Sequence, residues 1–146
     1  PNQLTSDHGW RLDDQSNQLT PIVHRLRDQG ARTSLFMDTD HHQLALAARL
    51  GADRIEFYTG PYAAQFATDP GGSLLGTFAD AARVAEVLGL GINAGHDLNQ
   101  DNLGAFLTAF RPVAEVSIGH AIISDALWQG LGETVSRYRS IIDSVD

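Results

Sequence analysis

The sequence predicts an α/β protein with a parallel sheet. Two observations predict it. Four short strand-like runs each lead into a helical stretch, and strands joined by helical crossovers pair in parallel. Within the strands one face is apolar and the other is polar or small, which fits helices on a single side of the sheet. At 146 residues, 42% apolar and 19% charged, the chain has material for a packed core, and 1–146 reads as a single region.

Residues 1–17 are polar and rich in Asp and Gln, with Gly9 placed to turn the chain. Leu19–Gln29 reads as a helix with Ile22, Val23 and Leu26 on one face and Gly30 as its C-cap. Arg32–Met37 is a first strand, ended by Asp38. Asp40 is placed to cap a helix over His41–Leu50 that stops at Gly51. Arg54–Tyr58 is a second strand. In the loop that follows, Tyr62–Phe66 forms a short helical turn, and Ser73–Leu88 is a long helix rich in Ala and Leu. Leu90–Asn93 is a third strand that opens into Ala94, Gly95 and His96. Asn99 or Asp101 caps a helix to about Phe110. Glu115–Ile118 is a fourth strand that opens into Gly119 and His120, and helices over about Ala121–Gly130 and Glu133–Ser144 follow.

The strand faces choose between two architectures. Ile55 and Phe57 oppose Arg54, Glu56 and Tyr58, and Val116 and Ile118 oppose Ser117 and Gly119. A doubly wound sheet is covered on both faces and its strands read as continuously apolar. A TIM (β/α)8 barrel keeps its helices outside, and its inner face can turn polar near the catalytic end. The barrel is the expectation. Since a barrel takes about 250 residues, this chain holds too few to close one. An isolated half is expected to leave strand edges unpaired and an apolar inner layer exposed.

Composition excludes several chemistries. All ten basic residues are Arg, so no Schiff-base lysine and no Walker-type phosphate loop is encoded. Any phosphate must be held by backbone N–H groups, Arg, His or hydroxyls. A net charge of −8 without a basic stripe argues against nucleic-acid binding. The absence of Cys removes disulfides, thiolate metal ligands and thiol nucleophiles, and fits a cytoplasmic setting. No run approaches a membrane span, and Pro1–Thr5 reads as the middle of a loop rather than a signal peptide.

The strongest chemical signal is Asn93-Ala94-Gly95-His96-Asp97 at the end of the third strand, where barrels build active sites. His96 there is suited to proton transfer, or else is a loop histidine that only hydrogen-bonds. Ser117-Ile118-Gly119-His120-Ala121 is a strand–turn–helix junction whose exposed N–H groups favour an anion, or a plain tight turn. Glu56 either stabilises developing positive charge or pairs structurally with Arg54. Asp38, Asp40, His41 and His42 tempt a metal reading, but adjacent helix residues point about 100° apart, so no metal is expected. His24 reads as a structural residue of its helix.

Five motifs in order, Leu4–Trp10, Thr33–Asp40, Ile55–Ala63, Gly91–Leu98 and Ser117–Ile123, give a specific likeness over essentially all of the chain. On these the sequence resembles pyridoxine 5′-phosphate synthase of the deoxyxylulose-dependent vitamin B6 pathway. The resemblance implies condensation of 3-amino-2-oxopropyl phosphate with 1-deoxy-D-xylulose 5-phosphate, giving pyridoxine 5′-phosphate, phosphate and water. It implies no metal, no organic cofactor and a homo-oligomer. It matches His96 to the proton donor and Glu56 to a transition-state-stabilising carboxylate. Asp97, Gly119 and His120 match positions that bind the aminoketone phosphate, and Thr5 matches a threonine that binds the deoxyxylulose phosphate. The family's Asn-x-Asp-His segment and its two general bases have no counterpart here. The resemblance therefore implies a C-terminal half-barrel, the last four βα units plus a terminal helix, completed by an N-terminal half that this sequence lacks. The competing expectations are a non-catalytic phosphate-binding half-barrel and a different phosphate-handling barrel enzyme, such as an isomerase.

Overall fold

A computed structural model of the chain describes residues 7–70, 72–109, 111 and 113–145. Four strands, β1 (Ser34–Met37), β2 (Arg54–Phe57), β3 (Gly91–Gly95) and β4 (Glu115–Ser117), form one parallel sheet in sequence order. The helices described are α1 (Leu12–Asp28), α2 (His41–Arg49), α3 (Gly60–Phe66), α4 (Ser73–Val87), α5 (Leu103–Ala109), α6 (His120–Gln129) and α7 (Leu131–Asp143). The register aligns Phe36, Glu56, Asn93 and Glu115 in one row across all four strands.

Strand alternation decides what each face carries. Leu35, Met37, Ile55, Phe57, Ile92 and Ala94 are buried under the helices. Their neighbours turn the other way. Ser34, Glu115 and Ser117 are exposed, and Phe36, Arg54, Glu56 and Tyr58 are half-buried. Among the described residues helices therefore cover one side only, the arrangement of a barrel rather than of a doubly wound sheet. The architecture is α/β, four parallel strands alternating with helices, as in part of a TIM barrel. The expected apolar inner layer is a correction. The uncovered face carries Ser34, Arg54, Glu56, Asn93, Glu115 and Ser117, with Phe36 and Tyr58 as its aromatic members. The apolar half of each strand was already spent on the helix side.

The helices form largely where their end signals stand. Asp40 Oδ1 accepts from the N–H groups of His42 (2.8 Å) and Gln43 (3.1 Å) and so starts α2. Asn99, rather than Asp101, organises the entry to α5, accepting from the N–H groups of Asp101 (2.9 Å) and Asn102 (3.2 Å). Gly30 ends α1 with a left-handed φ of 77°. The start of α1 departs from expectation. The helix begins at Leu12, seven residues early, with Asp13 and Asp14 in its first turn, where they complement the helix dipole. Its buried stripe is Leu12, Leu19 and Val23, whereas Ile22 and Leu26 are exposed. Of the expected face, Val23 reaches the core and Ile22 and Leu26 do not.

Beneath the sheet an aromatic cluster seals the helix layer. Phe57, Tyr62, Phe78 and Phe106 meet at centroid distances of 5.1–6.4 Å. The Tyr62 hydroxyl donates to the Asn102 carbonyl (2.8 Å), and burial pushes the phenol up to about 12. At the other end of the layer α6 buries none of its residues fully, and Leu127 and Trp128 are exposed. Among the described residues no helix is long and apolar enough to cross a membrane.

Candidate active site

The C-terminal strand ends bring together most of the residues singled out from sequence. β3 runs two residues further than expected, to Gly95, and the chain then turns sharply at His96. His96 has a φ of 66°, and the Asp97 N–H donates back to the Gly95 carbonyl (2.9 Å), closing a three-residue turn. A left-handed conformation costs a non-glycine residue about 1–2 kcal/mol. The surroundings hold it in place. The His96 N–H donates to the Ser117 carbonyl (2.8 Å), and the buried Thr59 hydroxyl donates to the Gly95 carbonyl. Gly95 is required because its α-carbon lies against the Ser117 backbone, with no room for a side chain.

His120 stands at the first position of α6, and its ring centroid lies 6.4 Å from that of His96. No side chain caps α6, whose preceding residue is Gly119. The first N–H groups of this helix carry the partial positive charge that suits an anion. Asp97 departs from the simplest picture. Its backbone N–H, the group expected to meet a phosphate, is engaged by Gly95, and its carbonyl accepts from Asn102 Nδ2 (3.3 Å). One carboxylate oxygen of Asp97 is buried without a partner among the described residues.

Glu56 projects from the middle row of the uncovered face, half-buried. Desolvation pushes its carboxyl above the usual range. The His96 charge opposes this shift and the Glu115 charge reinforces it. The expected alternative, a Glu56–Arg54 ion pair, does not form. Arg54 instead reaches Asn93 Oδ1 (2.9 Å) and Glu115 Oε2 (3.1 Å), and Arg32 adds a second contact to Glu115 (3.0 Å). The reason lies in the register. The cross-strand partner of Arg54 is Gly91, which has no side chain, so the guanidinium lies across β3. Among the described residues no cationic side chain is bound to Glu56.

The remaining expectations fall elsewhere. Thr5 lies outside the described residues. Asp40 caps α2, and His42 Nε2 meets Asp13 Oδ1 (2.9 Å). Among the described residues no group of three or more His, Asp or Glu side chains converges as a metal site. His24 is exposed on α1. Thr59 and Phe36 were not found from sequence, and Tyr58 was placed on the face of Glu56 without a role. The period-2 alternation of β1 places Phe36 on the face of Glu56, but only the cross-strand register shows that the two are neighbours.

A histidine, a carboxylate and a helix N-terminus thus stand at the C-terminal ends of parallel strands, the end where α/β barrels build their active sites. The model of the family described as "Pyridoxal phosphate biosynthesis protein PdxJ" matches residues 1–144, and the chain belongs to that family. Among curated relatives, a protein of Xanthomonas oryzae pv. oryzae (strain MAFF 311018) is 53% identical over 140 residues, covering 96% of this chain and 55% of the relative. A protein of Xylella fastidiosa (strain 9a5c) is 51% identical over 144 residues, covering 99% of this chain and 55% of the relative. One of Albidiferax ferrireducens is 52% identical over 136 residues, covering 93% and 54%. Each of the three is named pyridoxine 5′-phosphate synthase. The chain spans about half the length of the curated relatives it matches.

Proposed function

We propose that this chain forms the second half of a pyridoxine 5′-phosphate synthase barrel. The whole enzyme joins 3-amino-2-oxopropyl phosphate to 1-deoxy-D-xylulose 5-phosphate. The observation that carries the reading is His96, held in a strained turn at the C-terminal strand ends, with the His120 ring 6.4 Å away and Glu56 on the adjacent strand. Strain of this kind concentrates at functional sites. His96 donates protons during the dehydrations, and Glu56 stabilises positive charge in the transition state. The N-terminal N–H groups of α6, with Gly119 and His120, hold the aminoketone phosphate without a lysine. For the Asp97 N–H to join them, the Gly95–Asp97 turn must open. Thr5 binds the deoxyxylulose phosphate.

The remaining bases and the other half of the barrel come from residues outside this sequence. Two features support that requirement. Among the described residues β4 pairs on one edge only, with β3. Beside it, Val116, Ile118, Ile122 and Ile142 remain only partly buried. The test is a synthase assay of the 146-residue chain with and without the N-terminal half of the Xanthomonas oryzae relative. Pyridoxine 5′-phosphate should form only with both halves, and full turnover by this chain alone would refute the reading. In the completed barrel, His96→Ala should lower kcat by about 10²–10⁴-fold with little change in substrate binding. An unchanged kcat removes His96 from the mechanism.

A further inference from the structure

The uncovered face of the sheet is polar except at one place. Phe36 and Tyr58 stand together near its C-terminal end, ring centroids 5.6 Å apart and tilted by 54°. Phe36 also approaches the His96 ring, at 6.4 Å and 43°. Both contacts are tilted rather than parallel. Both side chains are half-buried, while the other aromatic residues of this region, Phe57, Tyr62 and Phe78, are packed away under the helices. Phe36 and Tyr58 are the two aromatic members of the face that carries Glu56, Asn93 and Glu115. The positions matter as well. Phe36 shares a row with Glu56, and from His120 two steps of 6.4 Å lead through His96 to the Phe36 ring. Phosphate site, proton donor and aromatic face therefore follow one another along the strand ends.

We propose that Phe36 and Tyr58 form a platform for a flat heteroaromatic ring, the ring that the synthase reaction closes, with its phosphate arm directed to Gly119 and His120. The proposal rests on the synthase reading and adds the residues that hold the ring. Phe36 supplies a π-face next to His96, against which the ring settles as the last dehydration makes it flat and aromatic. Tyr58 supports the edge of Phe36 and offers its hydroxyl. Burial and the nearby carboxylates of Asp97, Asp7 and Asp38 raise the phenol above its ordinary value, which keeps it a hydrogen-bond donor at neutral pH.

The experiment measures binding of pyridoxine 5′-phosphate and of inorganic phosphate, together with synthase turnover, in the barrel completed with the N-terminal half. Phe36→Leu should weaken pyridoxine 5′-phosphate binding by roughly three- to tenfold, the usual worth of an aromatic contact. It should leave inorganic phosphate binding unchanged, and Phe36→Tyr should restore ring binding. Wild-type affinity in Phe36→Leu, or equal loss of both ligands, overturns the platform while the synthase reading stands. If Phe36→Leu does not fold, Tyr58→Leu takes its place with the same expected pattern and the same refuting results. A wild-type barrel that neither makes nor binds pyridoxine 5′-phosphate overturns the synthase reading and the platform with it.

Discussion

Replacing Gly95 with alanine puts a methyl group into the backbone of the neighbouring strand. An added Cβ overlaps the Ser117 carbonyl oxygen and lies 2.7 Å from its carbonyl carbon, short of the 3.4 Å of ordinary contact by 0.7 Å. The obstacle is backbone, so no side chain can swing aside. β3 and β4 must separate, and the first hydrogen bond lost is His96 N–H to Ser117 O. Overpacking of this kind costs about 1–3 kcal/mol, and the hydrogen bond adds about 1 kcal/mol. The expected loss is about 2–4 kcal/mol of stability, read by urea unfolding of the completed barrel. A shift of His96 approaching 1 Å should also lower synthase turnover by about 10²-fold. Gly76→Ala is the stability control, because a Cβ there meets nothing within 4 Å and the position lies inside α4, where alanine is favoured over glycine. It should cost less than about 0.5 kcal/mol. If Gly95→Ala unfolds with the wild-type midpoint and turns over at the wild-type rate, the close approach of these strands is not what positions His96.

Two further predictions concern pH. Glu56 has a raised carboxyl in the folded state, so its contribution favours folding below the ordinary value of 4.5 and is lost as pH rises through the folded one. Glu56→Gln, a mimic of the protonated form, should therefore stabilise the completed barrel at neutral pH and lose that advantage below about pH 4.5, while abolishing turnover. Unfolding curves at pH 4 and pH 7 check the sign, and an equal effect at both pH values would refute it. Asp53 is the opposite case. Hydrogen bonds from the Thr33 N–H (2.7 Å) and hydroxyl (3.0 Å) hold its carboxyl below the usual 3.8. Its stabilisation is present above that value and is lost as pH falls through the lowered one. Asp53→Asn should destabilise at neutral pH, with the gap from wild type closing in acid. A gap that widens in acid would show that the carboxylate is not the group responsible.

Much of this molecule was legible in its residues because the relevant signals are local. Asp40 ahead of a helix, Gly30 and Gly51 after helices, and alternation within Arg54–Tyr58 each act over a few residues. Those elements form where the signals stand. Legibility failed at the start of α1, where Asp13 and Asp14 looked like part of a polar loop. They begin a helix because Leu12 is fully buried, its N–H held by Gln43 Oε1 (2.7 Å) from α2. No signal within residues 1–17 reports a contact made thirty-one positions away.

Chain order by itself determined the parallel α/β layout, the polar face that carries Glu56, and the placement of His96 and His120 just past strand ends. It also determined, through the lack of lysine, that phosphate must be met by backbone, Arg, His or hydroxyl groups. Tertiary structure decided the pairings. Gly91 opposite Arg54 sends the guanidinium to Asn93 and Glu115 rather than to Glu56. Ser117 and Thr59 hold the His96 turn, and the register of β1 on β2 sets Phe36 beside Glu56. The physical reason is range. Alternation, capping and charge type act within a few residues of one chain segment. Which side chains meet across a sheet depends on strand register and on how closely two backbones can approach, and these are fixed only when the strands pack.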